Sequence, residues 1–480
     1  MAAAMGVVLG FVLTVLPFAV LGDPWASLPE IGQIPALVRS SGIPQGAVTP
    51  TPLLPKRKEG ELRLFFVGAS MTFGLPFQPT GRSSYACFLE QGLRKALGRS
   101  DLHVRPDAYP GADSPQLAEM AERCLGYGAS HLVLVVGTNE YLRRIAHGRP
   151  LRGETVLARL AQDLASPRRL WEELGQGAKA WASELLPAGA SGGAGESLLG
   201  SKHKALGGLP VGEEDRVLVE ERLRRSLLRV IKAAQAKGVP LILALAPHCL
   251  SITPPRWSPA PPEPGVDTLV SEELRQCNPA RLYELTALLR RYADRPDLLH
   301  VLGRIQLRLG NSEAAIRNLN RAQDLDGAPM HRTSAIVRVV RELAREYKVR
   351  LLEFDDAFLG PDGLVREEYF LDYSHPSYEG QQRLARWLAE QLCGEFLPPL
   401  AAEEKLAFDQ ALRDYAKGAA TMESRRLARA EIDYNNGKYF RLAGNYREAL
   451  WYFERAMTVL DGEELRKAAA AARAALEGAK

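Results

Sequence analysis

Four short segments carry residue types that together can do acyl chemistry. The first is Gly68-Ala69-Ser70-Met71-Thr72-Phe73-Gly74, a serine in a turn flanked by glycines. Glycine lets the backbone turn sharply and lets a substrate approach closely. A helix starting at or just after Ser70 would aim its free amides and positive dipole end at an oxyanion beside the hydroxyl. In the second, Pro110-Gly111, the Gly111 amide is a further donor, and in the third, Gly137-Thr138-Asn139-Glu140, the Asn139 side-chain amide can donate to a developing oxyanion. The fourth, Asp372-Tyr373-Ser374-His375-Pro376, sets a carboxylate and an imidazole three residues apart. On one tight turn that carboxylate can bond the ring, fix its tautomer and stabilise the imidazolium. Singly, each segment has an ordinary explanation as a strand-closing or packing turn. As a set they supply a nucleophile (Ser70), oxyanion donors (Ser70, Gly111, Asn139), a base (His375) and its orienter (Asp372).

Such a set works only if one scaffold brings the four segments to one place. The run Leu62 to Gly68 is short, apolar and ends in glycine, as a buried parallel strand does before a turn into a helix. A helix pattern follows from Tyr85 to Leu97, then a second strand in LHVRPDAYPG that enters the Pro110-Gly111 turn. The next helix runs over about Ser114 to Cys124, with Ser114 as N-cap and Pro115 in its first turn. His131 to Gly137 reads as the third strand, Val239 to Pro247 as the fourth and Val349 to Phe358 as the fifth. Strands alternating with helices predict a parallel sheet covered on both faces, with all four segments at one edge of it.

In these four segments and their order the chain resembles the SGNH (GDSL-like) hydrolase superfamily, whose conserved blocks carry Ser, Gly, Asn and His. GASMTFG resembles the first block, AYPGADS the second, GTNE the third and DYSHP the last. The resemblance covers roughly residues 61–396. It implies a flavodoxin-like three-layer α/β/α sandwich and a cofactor-free, metal-free serine hydrolase acting on ester bonds. Ser70 would be the nucleophile, His375 the base, Asp372 its orienter, and the Ser70 and Gly111 amides with Asn139 the oxyanion hole. Two positions depart from the family pattern. Ala69 stands where Asp is common, and Glu140 follows Asn139 where Asp is common. Neither removes a required group. Arg332, just ahead of the last long helix before strand five, is a candidate to meet an anionic substrate group at the cleft. His248 follows strand four and is left out of the site.

The remaining chain divides into segments with other characters. Met5 to Leu21 is an uncharged apolar run that borders on the length needed to cross a bilayer, so residues 1–23 read as an uncleaved anchor or a signal segment. Residues 24–60, rich in Pro, Gly and Ser, read as a spacer, with the hydrolase-like region exported beyond them. Insertions are expected at 151–215 and 250–330; within the second, residues 250–270 are proline-dense and read as a polyproline-like surface loop. Residues 296–329 and 430–463 each fit a tetratricopeptide-like repeat of roughly 34 residues, with Gly-Asn at the inter-helix turn. Isolated repeats cannot bury their faces alone, so each should pack on the hydrolase-like region, on flanking helices or on a protein partner. Residues 397–480 form the C-terminal helical region.

Composition bounds what else the chain does. At 480 residues it exceeds one ordinary core. Lys+Arg 61 against Asp+Glu 57, scattered along the chain, gives no electrostatic footprint for nucleic acid. The five cysteines form no CxxC pair, which argues against thiolate metal binding; Cys249 and Cys277 flank the proline-rich loop and could pair in an oxidising compartment. Three function classes stay open. They are an esterase acting on an acylated small molecule or a cell-envelope glycan, an O-acyltransferase using the same acyl-enzyme, and a non-catalytic scaffold binding partners through the helical repeats.

Overall fold

The computed structural model describes residues 57–77, 82–142, 145, 210–258 and 263–478. The expected anchor, most of the spacer and nearly all of the 151–215 insertion lie outside them. No helix among the described residues is long and apolar enough to cross a membrane.

Five strands form one sheet: β1 (Leu62–Gly68), β2 (Leu102–Ala108), β3 (His131–Val136), β4 (Leu241–Leu245) and β5 (Arg350–Glu353). Their order is β2-β1-β3-β4-β5 and every pair is parallel. The chain therefore builds outward in one direction from β1 to β2 and in the other from β3 to β5. The strand order reverses between β1 and β3, where open α/β sheets leave a crevice at the strands' carboxyl ends.

The strands read as continuous apolar runs because both faces are covered. Along β1, Leu64 and Phe66 enter one core, while Phe65 and Val67 enter the other. The first core packs helices α2 (Tyr85–Ala96), α10 (Tyr378–Leu392) and α11 (Ala402–Ala419) onto the sheet. The second packs α3 (Ser114–Gly126), α4 (Glu213–Ala236) and α9 (Ser334–Glu346) onto the opposite face. The result is the three-layer α/β/α sandwich.

Helices α5 (Pro264–Gln276), α6 (Leu282–Arg291), α7 (Pro296–Arg308) and α8 (Ser312–Leu325) stand between β4 and α9. Helices α12 (Met422–Leu442), α13 (Tyr446–Met457) and α14 (Glu463–Gly478) follow α11, and α1 (Ser70–Phe73) is the short turn of helix after β1. In both helical hairpins a glycine on the first helix receives a large side chain from the second. A Cβ at Gly303 would lie 2.7 Å from Leu319, and one at Gly437 would lie 2.5 Å from Phe453.

Several expectations are corrected. The last expected strand is shorter: after Glu353 the backbone tightens into a 3-10 turn over Phe354–Phe358. The helix after β2 is capped by Asp113, whose side chain accepts from the Gln116 amide while Gln116 reaches back to the Asp113 amide. Ser114 is already inside it.

The first part of the proline-dense segment, residues 251–256, is not a surface loop. Ser251, Thr253 and Arg256 are buried, and its end belongs to α5. Pro254 and Pro255 are buried as well, and because proline has no N–H their burial leaves no donor unsatisfied. The amides of Arg256 and Trp257 each donate to the Asp326 carboxylate at 3.0 Å. Cys249 and Cys277 form no disulfide, since they belong to separate hydrophobic clusters.

Candidate active site

Ser70 opens α1 directly after β1. The turn is tight enough that a Cβ on Gly68 would lie 2.1 Å from the Thr72 hydroxyl oxygen, so glycine alone fits there. Gly74 ends the helical turn in the left-handed region at φ 91°, which favours glycine. Thr72 is buried and exchanges a hydrogen bond of 2.9 Å with the Tyr85 hydroxyl, fixing the turn to α2. Because helical bonding begins at Ser70, its own amide is a first-turn donor that the helix leaves without an acceptor. No side chain caps this helix at Ala69, where an aspartate would have offered a carboxylate.

The loop that carries Asp372 and His375, the candidate base, runs between Phe370 and α10. It closes on itself through a bridge between Phe370 and Pro376 and a bond from the Leu371 amide to the His375 carbonyl at 2.8 Å. Inside it, Asp372 Oδ1 accepts from the Ser374 and His375 amides, both at 2.8 Å. The His375 ring nitrogen Nδ1 lies 2.9 Å from Asp372 Oδ2, and Nε2 lies 2.8 Å from Ser70 Oγ. Serine, imidazole and carboxylate are thus one hydrogen-bonded chain. The Asp372 and His375 side chains are 5% and 15% exposed, so water screens the relay little.

Burial opposes the charge on Asp372, yet His375 and the two amides hold its carboxyl below the ordinary range. Burial likewise opposes imidazolium at His375. The charge and hydrogen bond of Asp372 outweigh it and raise the ring above the ordinary histidine value. A raised, oriented imidazole bonded to a hydroxyl is the electrostatic condition for a general base.

Gly111 and Asn139 follow β2 and β3, the two neighbours of β1, so they flank the Ser70 turn from both sides. Gly111 adopts φ 79°, a left-handed conformation that turns the chain between β2 and α3. The Asn139 amide group donates to the Ala112 carbonyl at 3.2 Å, which joins the third segment to the second.

Buried groups that sequence reasoning had not assigned hold these two turns together. The Glu140 carboxylate accepts from the Ser114 amide at 3.3 Å, and Arg222 of α4 donates to the Glu140 carbonyl at 2.7 Å while lying 3.4 Å from Asp113. All four residues are buried. A readable signal existed: Arg222 falls on the same helix face as Val219, Leu223 and Ser226, an arginine in an apolar stripe.

Arg332 is engaged within the fold. Its guanidinium donates to the Ala246 carbonyl at 2.6 Å and pairs with Asp355. It borders a cavity of about 690 Å³ also lined by His248, Leu319, Val337, Arg341 and Val365, and none of Ser70, Gly111, Asn139 or His375 reaches that cavity. His248, left out at the sequence level, is buried and bonded to His331 at 3.1 Å. Among the described residues no cluster of His, Cys, Asp and Glu could hold a metal ion.

No family model matches this chain, nor does any curated protein. Among solved structures it is similar to a lipase/acylhydrolase from Enterococcus faecalis, at 11% identity over 71% of this chain and 100% of that one, with a TM-score of 0.31. It is similar too to an acetyl xylan esterase, at 11% identity over 69% of this chain and 100% of that one, TM-score 0.32. A GDSL-like lipase from Bacteroides thetaiotaomicron is a third, at 10% identity over 69% and 87%, TM-score 0.28.

Proposed function

We propose that the chain is a serine esterase that cleaves acyl esters through a covalent acyl-enzyme on Ser70. The observation that carries this reading is the continuous relay of Ser70 Oγ, His375 and Asp372, with contacts of 2.8 and 2.9 Å. Nothing in ordinary packing requires a partly buried serine, histidine and aspartate in that order at the switch point of a parallel sheet.

In the proposed reaction Ser70 Oγ attacks the ester carbonyl carbon while His375 Nε2 takes the hydroxyl proton. The tetrahedral oxyanion accepts hydrogen bonds from the Ser70 and Gly111 amides and from Asn139. His375 returns the proton to the leaving alkoxide as the C–O bond breaks, leaving the acyl group on Ser70. A water molecule, deprotonated by His375, then attacks the acyl carbon and releases the acid and free Ser70. Asp372 stays ionised throughout and stabilises the imidazolium.

The acyl group and the alcohol belong to the substrate class of acylated small molecules or acylated glycans, and a cell-envelope substrate follows only if residues 1–23 export the chain. An acceptor hydroxyl in place of water would make the same acyl-enzyme an acyltransferase. The two helical hairpins are proposed as tetratricopeptide-like units, supported by their glycine-to-large-residue contacts.

The test is labelling of the full chain by a fluorophosphonate, which reacts only with an activated serine. Wild type should label and hydrolyse 4-nitrophenyl acetate. Ser70→Ala should not label, and its turnover should fall about 10⁴- to 10⁶-fold; His375→Ala should label far more slowly. A folded wild type that neither labels nor hydrolyses the ester would end the proposal and favour the scaffold reading.

A further inference from the structure

The base loop is held mainly by bonds within itself, so something outside must fix its place against Ser70. Behind it lies Arg256, 2% exposed. A buried guanidinium is expected to sit against a carboxylate, yet no acidic side chain among the described residues is within ion-pairing distance of this one. Instead it is enclosed by rings, lying 5.2 Å from the centre of Tyr373, 5.5 Å from Tyr439 and 5.6 Å from Phe440. Its nitrogens also contact Asn436 Oδ1 and His331 Nε2, each at 3.3 Å.

Tyr373 stands between Asp372 and His375 in the chain, and Asn436, Tyr439 and Phe440 all belong to α12. The rest of the enclosure converges on the same residue. The Tyr373 ring packs 4.3 Å from His331, and its carbonyl accepts from the Cys249 amide at 2.8 Å. Arg429 of α12 donates to the Leu371 carbonyl at 2.5 Å, one residue ahead of Asp372.

We propose that Arg256 is a positioning residue that holds the Asp372–His375 loop in working register with Ser70, by joining Tyr373 to Asn436, Tyr439 and Phe440 of α12. This rests on the esterase reading above. Each ring face attracts the cation, more strongly in a dry site, so losing any one ring costs attraction that water does not replace there. The dry guanidinium therefore enforces one mutual placement of the proline-dense segment, the base loop and the C-terminal helix. By this account α12 contributes no group to the reaction and is nonetheless required for it.

The test compares full-length wild type, Arg256→Met, Arg256→Lys, Tyr439→Leu and, as a surface control, Arg466→Ala. Hydrolysis of 4-nitrophenyl acetate is normalised to the sites that a fluorophosphonate titrates, so misfolded protein does not count. Arg256→Met should lose about 10- to 100-fold in kcat per titrated site, with KM within about twofold, the size of loss expected of a misplaced base. Arg256→Lys, which keeps a cation over the rings, should recover part of it. Tyr439→Leu should show a smaller loss of the same kind, and decides the matter if Arg256→Met does not fold.

Amide hydrogen exchange across residues 370–377 should quicken about tenfold or more in Arg256→Met while the strands keep their protection. Unchanged kcat per site, or unchanged exchange of that loop in a folded variant, overturns the proposal. If wild type itself neither labels nor turns over, the esterase reading fails, and the exchange result still decides whether Arg256 holds the loop.

Discussion

Asp372 makes its hydrogen bonds in a way that decides how His375 titrates. One carboxylate oxygen accepts from two amides of its own loop, and both oxygens face the ring nitrogen, at 3.0 and 2.9 Å. The carboxylate cannot swing away from the imidazole without giving up backbone bonds in a dry site, so its charge acts on the ring continuously. His375 is raised because that charge and bond outweigh burial. In the proposed mechanism the working base is the neutral ring, so activity should rise with pH along one limb centred above the ordinary histidine value of about 6.5. In Asp372→Asn the raising influences vanish and burial alone remains. The limb should then move below that value, while kcat falls about 10³- to 10⁴-fold because the tautomer is no longer held. A pH–rate profile of 4-nitrophenyl acetate hydrolysis checks both signs; a limb that stays in place in the variant contradicts the account. The same shift makes the proton on His375 stabilise the fold below the ordinary value, a contribution lost as pH rises through the raised one.

At the scale of elements, the strands deliver the groups of the proposed site and the helices decide whether they stay. The packing of α11 on α2 is close: a Cβ at Gly92 would lie 2.3 Å from the Phe408 ring, which is itself buried. Two effects of Gly92→Ala oppose each other. Alanine in a helix gains about 1 kcal/mol over glycine, whereas overfilling a packed contact costs about 1–3 kcal/mol. The ring is locked in the core and cannot move freely, so the second should win. The melting temperature should fall by several degrees, and a rise in thermal stability would show that α11 shifts without cost. The polar turns obey a different rule. Glu140, Asp113 and Arg222 are buried together beside Asn139 and Gly111, and burial pushes the Glu140 carboxyl upward. Removing one member of such a set leaves the others dry and unpaired, which explains why an arginine is kept on the apolar face of α4.

For the whole molecule, the C-terminal region is not an appendage hung on a finished sandwich. Phe408, Leu412, Ala416, Ala419, Ala428 and Ile432 belong to the same core cluster as Leu64, Phe66, Phe88 and Leu388. The inserted helices are tied in as well, since Ser271 and Arg275 of α5 both donate to Glu448 of α13. A chain ending at Phe396 would expose one face of α2 and lose the aromatic enclosure of Arg256. Truncation there should abolish the cooperative thermal transition expected of the full chain and produce dye-binding, aggregating protein. Circular dichroism melting with a hydrophobic dye checks this. A cooperative melt in the truncated chain would show that residues 61–396 form a separable unit after all.

Much of the scaffold and of the candidate site was legible locally. Apolar runs ending in glycine marked β1 and β3, and Ser70, Gly111, Asn139, Asp372 and His375 each stood at a strand end or in a tight turn, where neighbours in sequence are neighbours in space. What needed the tertiary structure was every contact between distant segments. The Ser70–His375 bond joins residues 305 positions apart, and the strand order that flanks Ser70 with Gly111 and Asn139 is set by which crossovers pack, a property of no single segment. Arg256 carries no local sign of burial, because arginine composition signals surface, and only the rings folded around it reveal a buried cation; Arg222 did carry one, its place in the apolar stripe of α4. The burial of the proline-dense segment was missed for the same reason. Its residues resemble a loop locally, and its buried part meets distant segments, Asp326 at the Arg256 and Trp257 amides and α12 at the Arg256 guanidinium.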